Sequence, residues 1–106
     1  MITPRFDELI HAPTRLSLVA LLAATEWADF QFLRDSVGLP DSALSKQLTT
    51  LEDAGYVEIR KSFVGKRPRT SARLTSVGRI AFDQHIAALQ EIVAKASTSV
   101  LPSARG

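Results

Sequence analysis

Residues 41–74 read DSALSKQLTTLEDAGYVEIRKSFVGKRPRTSARL and combine a helical pattern with two strand-like runs. In the first part, Leu44, Leu48 and Leu51 recur at intervals of four and three residues, the spacing of one face of an α-helix. The opposite face carries small polar side chains, which would allow a helix to approach base edges in a DNA major groove. These side chains are Ser42, Ser45, Lys46 and Thr49. Taken alone, the pattern favours an ordinary amphipathic surface helix.

The second part of this segment predicts a β-hairpin with a basic loop. Gly55 ends the helix, and residues 56–60 then alternate as a strand that turns Val57 and Ile59 inward. A second run, residues 70–74, pairs with the first across a loop that contains three cations and a stiffening proline. The loop residues are Gly65, Lys66, Arg67, Pro68 and Arg69. Such a loop can lie along a phosphate backbone, and a solvated charged loop is the alternative.

Basic residues are concentrated in this part of the chain. The whole chain of 106 residues has a net charge of only +2. Seven basic and three acidic residues lie between positions 42 and 73, so this segment carries +4 and the remainder −2. A near-neutral scaffold with one basic segment is suited to focused attraction of a polyanion.

Length and composition limit the class of protein. A chain of 106 residues with 45% hydrophobic content is ordinary for one compact domain. The absence of cysteine excludes disulfides, thiolate metal sites and cysteine nucleophiles. The longest apolar run, residues 16–24, is interrupted by Ser17 and is much shorter than the roughly 20 residues of a membrane span. We therefore expect one domain over residues 1–106 that is cytoplasmic and has no membrane partner.

The helix that begins near Asp41 is the fourth predicted helix of the chain. Residues 5–27 predict the first two helices and an edge strand. Apolar residues at helical spacing predict a first helix over residues 5–11, which Pro13 ends. Thr14 can cap a second helix that is apolar on most sides and therefore belongs to the core. Residues 25–27 end that helix and can pair briefly as an edge strand.

A third helix is joined to the fourth as in a helix-turn-helix. Asp29 can cap the third helix, and Gly38 can stop it in a left-handed turn. Asp41 follows after a short connection and can cap the fourth helix through its carboxylate. Two helices separated by a glycine-containing turn of about four residues match the helix-turn-helix motif.

The order of these elements resembles the winged helix-turn-helix of bacterial transcription regulators, most closely the MarR family, with some likeness to the ArsR group. The match spans roughly residues 6–95 and is carried by residues 10–16, 44–48, 51–52, 54–57 and 74–79. The expected fold class is mostly α with a small β-hairpin (α+β). The expected parts are an N-terminal helix (5–13), the winged helix-turn-helix core (14–74), a C-terminal dimerisation helix (75–100) and a frayed tail (101–106).

The resemblance implies that the fourth helix lies in the major groove of double-stranded DNA and that the hairpin, or wing, reaches an adjacent groove or its phosphates. The implied contacts are Ser42, Ser45, Lys46, Gln47 and Thr49 in the helix and Lys66, Arg67 and Arg69 in the wing. Arg60, Lys61 and Arg73 would be peripheral. Structural alternatives exist: Ser42 can satisfy the helix N-terminus, Gln47 can lie along the helix flank, and Arg73 can pair with Glu58.

The last predicted helix, which Thr75 can cap, carries two apolar faces. One is a heptad-like seam: Phe82, Ile86, Leu89, Val93, Ala96 and Val100. The other is a patch near its start: Val77, Ile80 and Ala81. We expect the patch to pack on the domain and the seam to form a homodimer, with the N-terminal helix assisting; the alternative is a seam that folds back onto its own domain. A two-fold dimer would bind an inverted-repeat operator.

The sequence does not support catalysis or a cofactor. The serines at positions 42 and 45 have no His/Asp partners, and no phosphate-binding glycine loop is present. His11 is expected to be structural, and His85 follows Asp83 as in some ArsR-like metal sensors, but no second histidine follows on that helix. We therefore expect no metal site, the alternative being a site that shares His11 of another subunit. No convergent polar pocket indicates a small-molecule effector, and the functional alternative is a winged-helix protein-interaction module.

Overall fold

The computed structural model describes residues 3–104, with side chains described for residues 3–97. The elements in chain order are α1 (Glu8–His11), α2 (Pro13–Ala23), β1 (Ala28–Asp29), α3 (Phe30–Val37), α4 (Asp41–Asp53), β2 (Val57–Val64), β3 (Arg67–Leu74) and α5 (Ser76–Ala104). The three strands form one antiparallel sheet in the order β1-β3-β2. The expected fold class, mostly helical with a small β-hairpin, is confirmed, and β1 adds a short third strand.

The core lies where α2, α3 and α4 pack around the base of the sheet. Its buried side chains are Leu18, Val19 and Leu22 from α2, Leu33 from α3, Leu44, Leu48 and Leu51 from α4, and Ala28, Val57, Ala72 and Leu74 from the sheet. The inward orientation that the leucine spacing predicts for α4 is confirmed. Each fully buried leucine stabilises the fold by about 1.5–3 kcal/mol, so these three leucines determine which face of α4 stays exposed.

Two helix starts differ from the prediction. Helix α2 begins at Pro13 with Ala12 at the N-cap, so Thr14 does not cap it. Proline suits this first position because its missing N–H would have no partner inside the helix. Asp41 is the first residue of α4, with Pro40 at the N-cap, and its carboxylate accepts a hydrogen bond from Arg34 Nη1 at 3.0 Å instead of capping the helix. The predicted side-chain cap by Asp41 is therefore not formed.

The N-terminal elements are also shorter than predicted or shifted along the chain. Helix α1 begins at Glu8 rather than residue 5, because Asp7 occupies the N-cap and its Oδ1 accepts from the Ile10 N–H at 3.0 Å. Strand β1 lies one residue beyond the predicted edge strand and pairs Ala28 with Ala72. The predicted stop of α3 in a left-handed turn is confirmed by a φ of 70° at Gly38.

Gly78 sets the rotation of α5 about its own axis. A Cβ atom at this position would lie 2.1 Å from the backbone oxygen of Tyr56, so the helix backbone rests directly against the start of the wing. Thr75 caps the helix as predicted, since its Oγ1 accepts from the Gly78 N–H at 3.0 Å. This close approach turns His85 and Ala88 into the domain, where both are buried.

The rotation of α5 corrects two expectations about its apolar faces. Val77 and Ile80, expected to pack on the domain, are 58% and 62% exposed. Phe82, expected in the dimer seam, is partly buried against its own core. Farther along, Ile92 and Val93 are exposed, and α5 continues as a helix to Ala104, past the predicted end at residue 100. The seam position at residue 100 lies outside the described side chains, and residues 105–106 lie outside the description altogether.

Candidate nucleic-acid interface

The exposed face of α4 agrees with the predicted contact surface except at one residue. Ser42, Ser45, Lys46 and Thr49 are exposed. Gln47 is half-buried on the flank of the helix, and its Oε1 accepts from Arg15 Nη1 at 3.0 Å. Its carbonyl is therefore engaged with α2, while its amide N–H groups remain the part that can donate to a ligand.

The exposed face of α4 and one face of the wing line the same groove. Ser45 and Thr49 contribute to it from α4, and Lys61 and Thr70 contribute from β2 and β3. The groove is also lined by two carboxylate residues, Asp41 and Glu52. Lys61, which the resemblance placed at the periphery, thus lies closer to the recognition face than expected.

Strand register makes the wing longer and its turn shorter than predicted. Strands β2 and β3 pair continuously from Val57 opposite Leu74 to Val64 opposite Arg67. The connection is therefore only Gly65 and Lys66, with a φ of 65° at the glycine, a left-handed conformation that favours glycine. Of the three predicted loop cations, Lys66 alone lies in the turn.

Arg69 lies on the face of the wing that points away from α4. Its Nε and Nη2 donate to the two carboxylate oxygens of Asp29, each at 2.9 Å. Ser71 Oγ donates to the same carboxylate at 3.3 Å. Because side chains alternate along a strand, the side chain of Arg67 leaves the backbone on this same face, two residues nearer the tip of the wing. The charge of Arg69 is thus matched by a carboxylate within the protein.

The cations near the groove divide into paired and unpaired groups. Carboxylates pair with Arg34, Arg69 and Arg73. The Arg73 pair is the one predicted with Glu58, at 2.8 Å. Among the residues whose side chains are described, no ion pair forms at Lys46, Lys61, Lys66 or Arg67. The unmatched positive charge is therefore on the exposed side of α4, in the groove and at the wing tip.

Trp27 organises the far side of the wing base. The guanidinium Cζ atoms of Arg60 and Arg73 lie 4.0 Å and 4.8 Å from the centroid of its ring. A cation over an indole face is attracted by the ring electrons, at about 0.5–1 kcal/mol for exposed sites. These two arginines are thus held away from α4. Trp27 was predicted only as part of the edge strand over residues 25–27, and its contact with the two arginines was not predicted; its signal is that it is the one tryptophan of the sequence.

Two histidines that are 74 positions apart in the sequence meet beside the N-terminal segment. The backbone N–H of Asp7 donates to His85 Nδ1 at 2.9 Å, so this nitrogen carries no proton. The other ring nitrogen, Nε2, lies 3.2 Å from His11 Nδ1. Neutral His85 therefore has its proton on Nε2, from which it can donate to His11. The Phe6 ring packs against both imidazoles, with centroids 4.7 Å and 4.6 Å away.

Burial disfavours the charged form of His85. The pKa of His85 is lowered, first by burial and then by His11, while the carboxylates of Asp7 and Glu8 act in the opposite direction. Tyr56 donates through its hydroxyl to Asp7 Oδ2 at 2.5 Å, which raises the pKa of the tyrosine. Within the described residues, no group of three His, Cys, Asp or Glu side chains could hold a metal ion. The network therefore joins the N-terminal segment to α5 through hydrogen bonds to a neutral imidazole.

An open cleft of about 490 Å³ lies beside this network. Phe6 and Tyr56 line it from the domain, and Val77, Ile80 and Gln84 line it from α5. The exposed apolar residues at the start of α5 therefore border a concave surface.

None of the described helices is both long enough and apolar enough to cross a membrane.

Comparison with known proteins places this arrangement among characterised folds. A family model described as a winged helix DNA-binding domain matches residues 14–93. The uncharacterized protein MJ0432 of Methanocaldococcus jannaschii is 33% identical over 79 residues, which cover 74% of this chain and 86% of that protein. A transcriptional regulator homologue from Pyrococcus horikoshii OT3 has a similar structure, with a TM-score of 0.78 and 22% identity over 84% of this chain and 88% of its own. A candidate MarR-family regulator from Enterococcus faecalis V583 has a TM-score of 0.68 and 23% identity over 92% of this chain and 84% of its own.

Proposed function

Since this chain belongs to the winged helix DNA-binding domain family, we propose that it is a cytoplasmic transcription regulator that binds a specific double-stranded DNA sequence as a homodimer. The resemblance to MarR-type winged helix-turn-helix regulators is confirmed by the family match and by the folds of the similar structures. The observation that carries the proposal is the groove in which Ser45 and Thr49 of α4 face Lys61 and Thr70 of the wing. One docking surface can thus combine base contacts with phosphate contacts.

Helix α4 is proposed to enter the major groove. Its exposed face is narrow because Ser42, Ser45 and Thr49 are small, so bulk does not prevent close approach. Hydroxyl groups can donate to or accept from base edges, while Lys46 supplies a positive charge to a guanine edge or a phosphate. Gln47 contributes through its amide N–H groups, since Arg15 occupies its carbonyl oxygen.

The wing is proposed to contact phosphates through its unpaired cations. Lys66 at the turn and Arg67 beside it are exposed and have no carboxylate partner among the described side chains. Lys61 supplies a third charge from inside the groove. Arg69 contributes less, because binding a phosphate would require it to leave the bidentate pair with Asp29.

The far half of α5 is proposed to form the dimer interface. The helix has 29 residues and is therefore about 44 Å long. Leu89 is half-buried, and the apolar stripe then continues through Ile92, Val93 and Ala96, which are exposed. Leu89, Val93 and Ala96 belong to the predicted seam, as does the half-buried Ile86, and Ile92 extends the stripe beyond that prediction. A second copy that covers the stripe would present two α4 helices to the two halves of an inverted repeat.

Selection of bound sequences from a random duplex pool tests DNA recognition and the dimer together. The expected product is an inverted repeat with half-site centres about one DNA turn apart. Lys46→Ala and Lys66→Ala are each expected to reduce the slope of log affinity against log salt concentration by about 2, because each substitution removes one phosphate contact from each of the two copies. Lys95→Ala is the matched control, since this exposed cation lies on the far part of α5. A lack of enrichment from the pool, or equal salt slopes for all these proteins, would contradict the proposal.

Sedimentation of the free protein tests the interface by itself. We expect a dimer at tens of micromolar, and we expect Ile92→Glu to shift it to a monomer because a carboxylate would be buried in the interface. Gln90→Glu adds the same charge at an exposed position on α5 outside the stripe and should leave the dimer intact. A wild-type protein that sediments only as a monomer would refute the interface.

A further inference from the structure

The tip of the wing is apolar as well as basic. Phe63 is 73% exposed and Val64 is 56% exposed. Pro68 is exposed too and lies directly opposite Phe63 in the strand register. Phe63 and Pro68 are neighbours on one face of the hairpin tip, and Val64 adds an exposed apolar side chain on the opposite face. Single exposed apolar side chains are common, whereas neighbouring ones mark a candidate interaction site.

Strand alternation determines the direction in which Phe63 projects. Val57, Ile59 and Lys61 precede it at intervals of two residues, and all four therefore lie on one face of the wing. Val57 and Ile59 pack on the core beside α4, and Lys61 lines the groove with Ser45 and Thr49. The Phe63 ring therefore extends the face that borders α4, whereas Val64 lies on the opposite face.

The charges around the ring indicate the kind of partner. Lys61 lies on the same face as Phe63, Lys66 lies in the turn, and Arg67 lies beside the turn on the opposite face. None of the three is ion-paired among the described side chains. The nearest paired cation, Arg69, is on the other face with Asp29. An exposed aromatic ring with unpaired cations around it fits a partner that has an anionic rim and an apolar, stackable interior. Duplex DNA has both, as phosphates that border stacked bases.

We propose that Phe63 acts as an apolar wedge that enters the DNA minor groove beside the α4 site and partly unstacks one base step. This inference rests on the proposed function, because it requires that the chain binds duplex DNA. Pyrimidine–purine steps unstack most easily, so the wedge adds sequence preference at a position that no hydrogen bond reads. Lys66 and Arg67 hold the phosphates on either side of the opened step.

The test uses the duplex selected from the random pool, with the fluorescent base 2-aminopurine placed at successive positions. Binding of the wild-type protein is expected to raise the fluorescence at one flanking step in each half-site, since unstacking removes quenching. Phe63→Ala should abolish this rise and weaken binding roughly tenfold, with the salt slope unchanged because no charge is lost. Val64→Ala, on the opposite face, is the matched control and should keep both the rise and the affinity. Lys66→Ala should reduce the salt slope by about 2, one contact in each copy, and keep the fluorescence rise.

The failure of the wedge and the failure of DNA binding give different results. If the wild-type protein binds the selected duplex but no position brightens, or if the variants at positions 63 and 64 bind equally, the wedge is refuted and the proposed function stands. If the wild-type protein binds no duplex, both are refuted. If Phe63→Ala instead converts the free protein to a monomer in sedimentation, the ring contacts a second copy and the wedge is likewise refuted.

Discussion

Substitution of Gly78 by alanine changes the free energy of unfolding in two opposite ways: it improves helix propensity and it creates a steric clash. In an exposed helix, glycine to alanine stabilises by about 1 kcal/mol, because alanine loses less backbone entropy on folding. At Gly78, however, the new Cβ would lie 2.1 Å from the Tyr56 oxygen, 2.8 Å from its carbonyl carbon and 2.9 Å from its Cα. An ordinary carbon–oxygen contact is about 3.3 Å or longer, so the backbones must separate by roughly 1 Å.

The carbonyl of Tyr56 cannot simply rotate away from the added methyl group. Its oxygen already accepts a hydrogen bond from the Thr75 N–H at 3.0 Å, which ties it to the start of α5. The helix must therefore retreat, and a gap of 0.5–1 Å already removes a quarter to a half of the dispersion energy of each contact. His85 and Ala88 lie on the retreating face. We expect Gly78→Ala to destabilise the protein by about 2–4 kcal/mol after the gain in propensity is included.

Urea unfolding followed by far-UV circular dichroism measures this change. Wild type and variants must be compared at one protein concentration, because association makes apparent stability concentration-dependent. The expected loss corresponds to a melting temperature lower by roughly 10–20 °C. Asp83→Ala is the control, since it introduces alanine at an exposed position of the same helix and should change stability by less than about 0.5 kcal/mol. If Gly78→Ala were as stable as wild type or more so, the close packing of α5 on Tyr56 would be refuted.

Two further predictions follow from the histidine network and the wing. The free energy of unfolding should fall as the pH decreases below about 6.5, because the lowered pKa of folded His85 lets the unfolded chain bind more protons there. The loss of unfolding free energy levels off once folded His85 is itself protonated. His85→Gln should flatten the dependence of the unfolding free energy on pH. An NMR titration that placed the pKa of the His85 imidazole above that of a free histidine would contradict this prediction. In the wing, Arg69→Ala should reduce the salt slope of DNA binding less than Lys66→Ala does, because Asp29 already neutralises Arg69. Equal reductions in slope would show that the pair opens on binding.

The helix-turn-helix was predictable because its signals are local. Leucine spacing in α4 reports burial directly, so the exposed positions of Ser42, Ser45 and Thr49 follow from it. The left-handed stop at Gly38 follows from glycine chemistry in the same way. Capping was less predictable, since a carboxylate such as that of Asp41 can accept a hydrogen bond either from the N–H groups at a helix N-terminus or from a nearby arginine.

The wing and α5 depend on contacts between distant parts of the chain. The two faces of the wing depend on register, and Arg69 was placed in a basic loop because residues 61–64 do not alternate in polarity. Both apolar faces of α5 were visible in the sequence, but which one meets the domain depends on the contact of Gly78 with Tyr56. The meeting of His11 with His85 required the tertiary fold, because neither residue has a local partner.

Tyr56 is the residue where the DNA-reading and dimer-forming parts of the chain meet. Its N–H donates to Leu51 O at the end of α4 at 3.0 Å, and its carbonyl accepts from Thr75 before α5. With the backbone of Gly78 against the same carbonyl, this joint has no room to act as a hinge. In the proposed dimer, the angle between each α4 helix and the two-fold axis is thus fixed. One extra base pair in the operator spacer would rotate one half-site by about 34°, and that torsion would have to be absorbed by overwinding or underwinding of the DNA rather than by the protein.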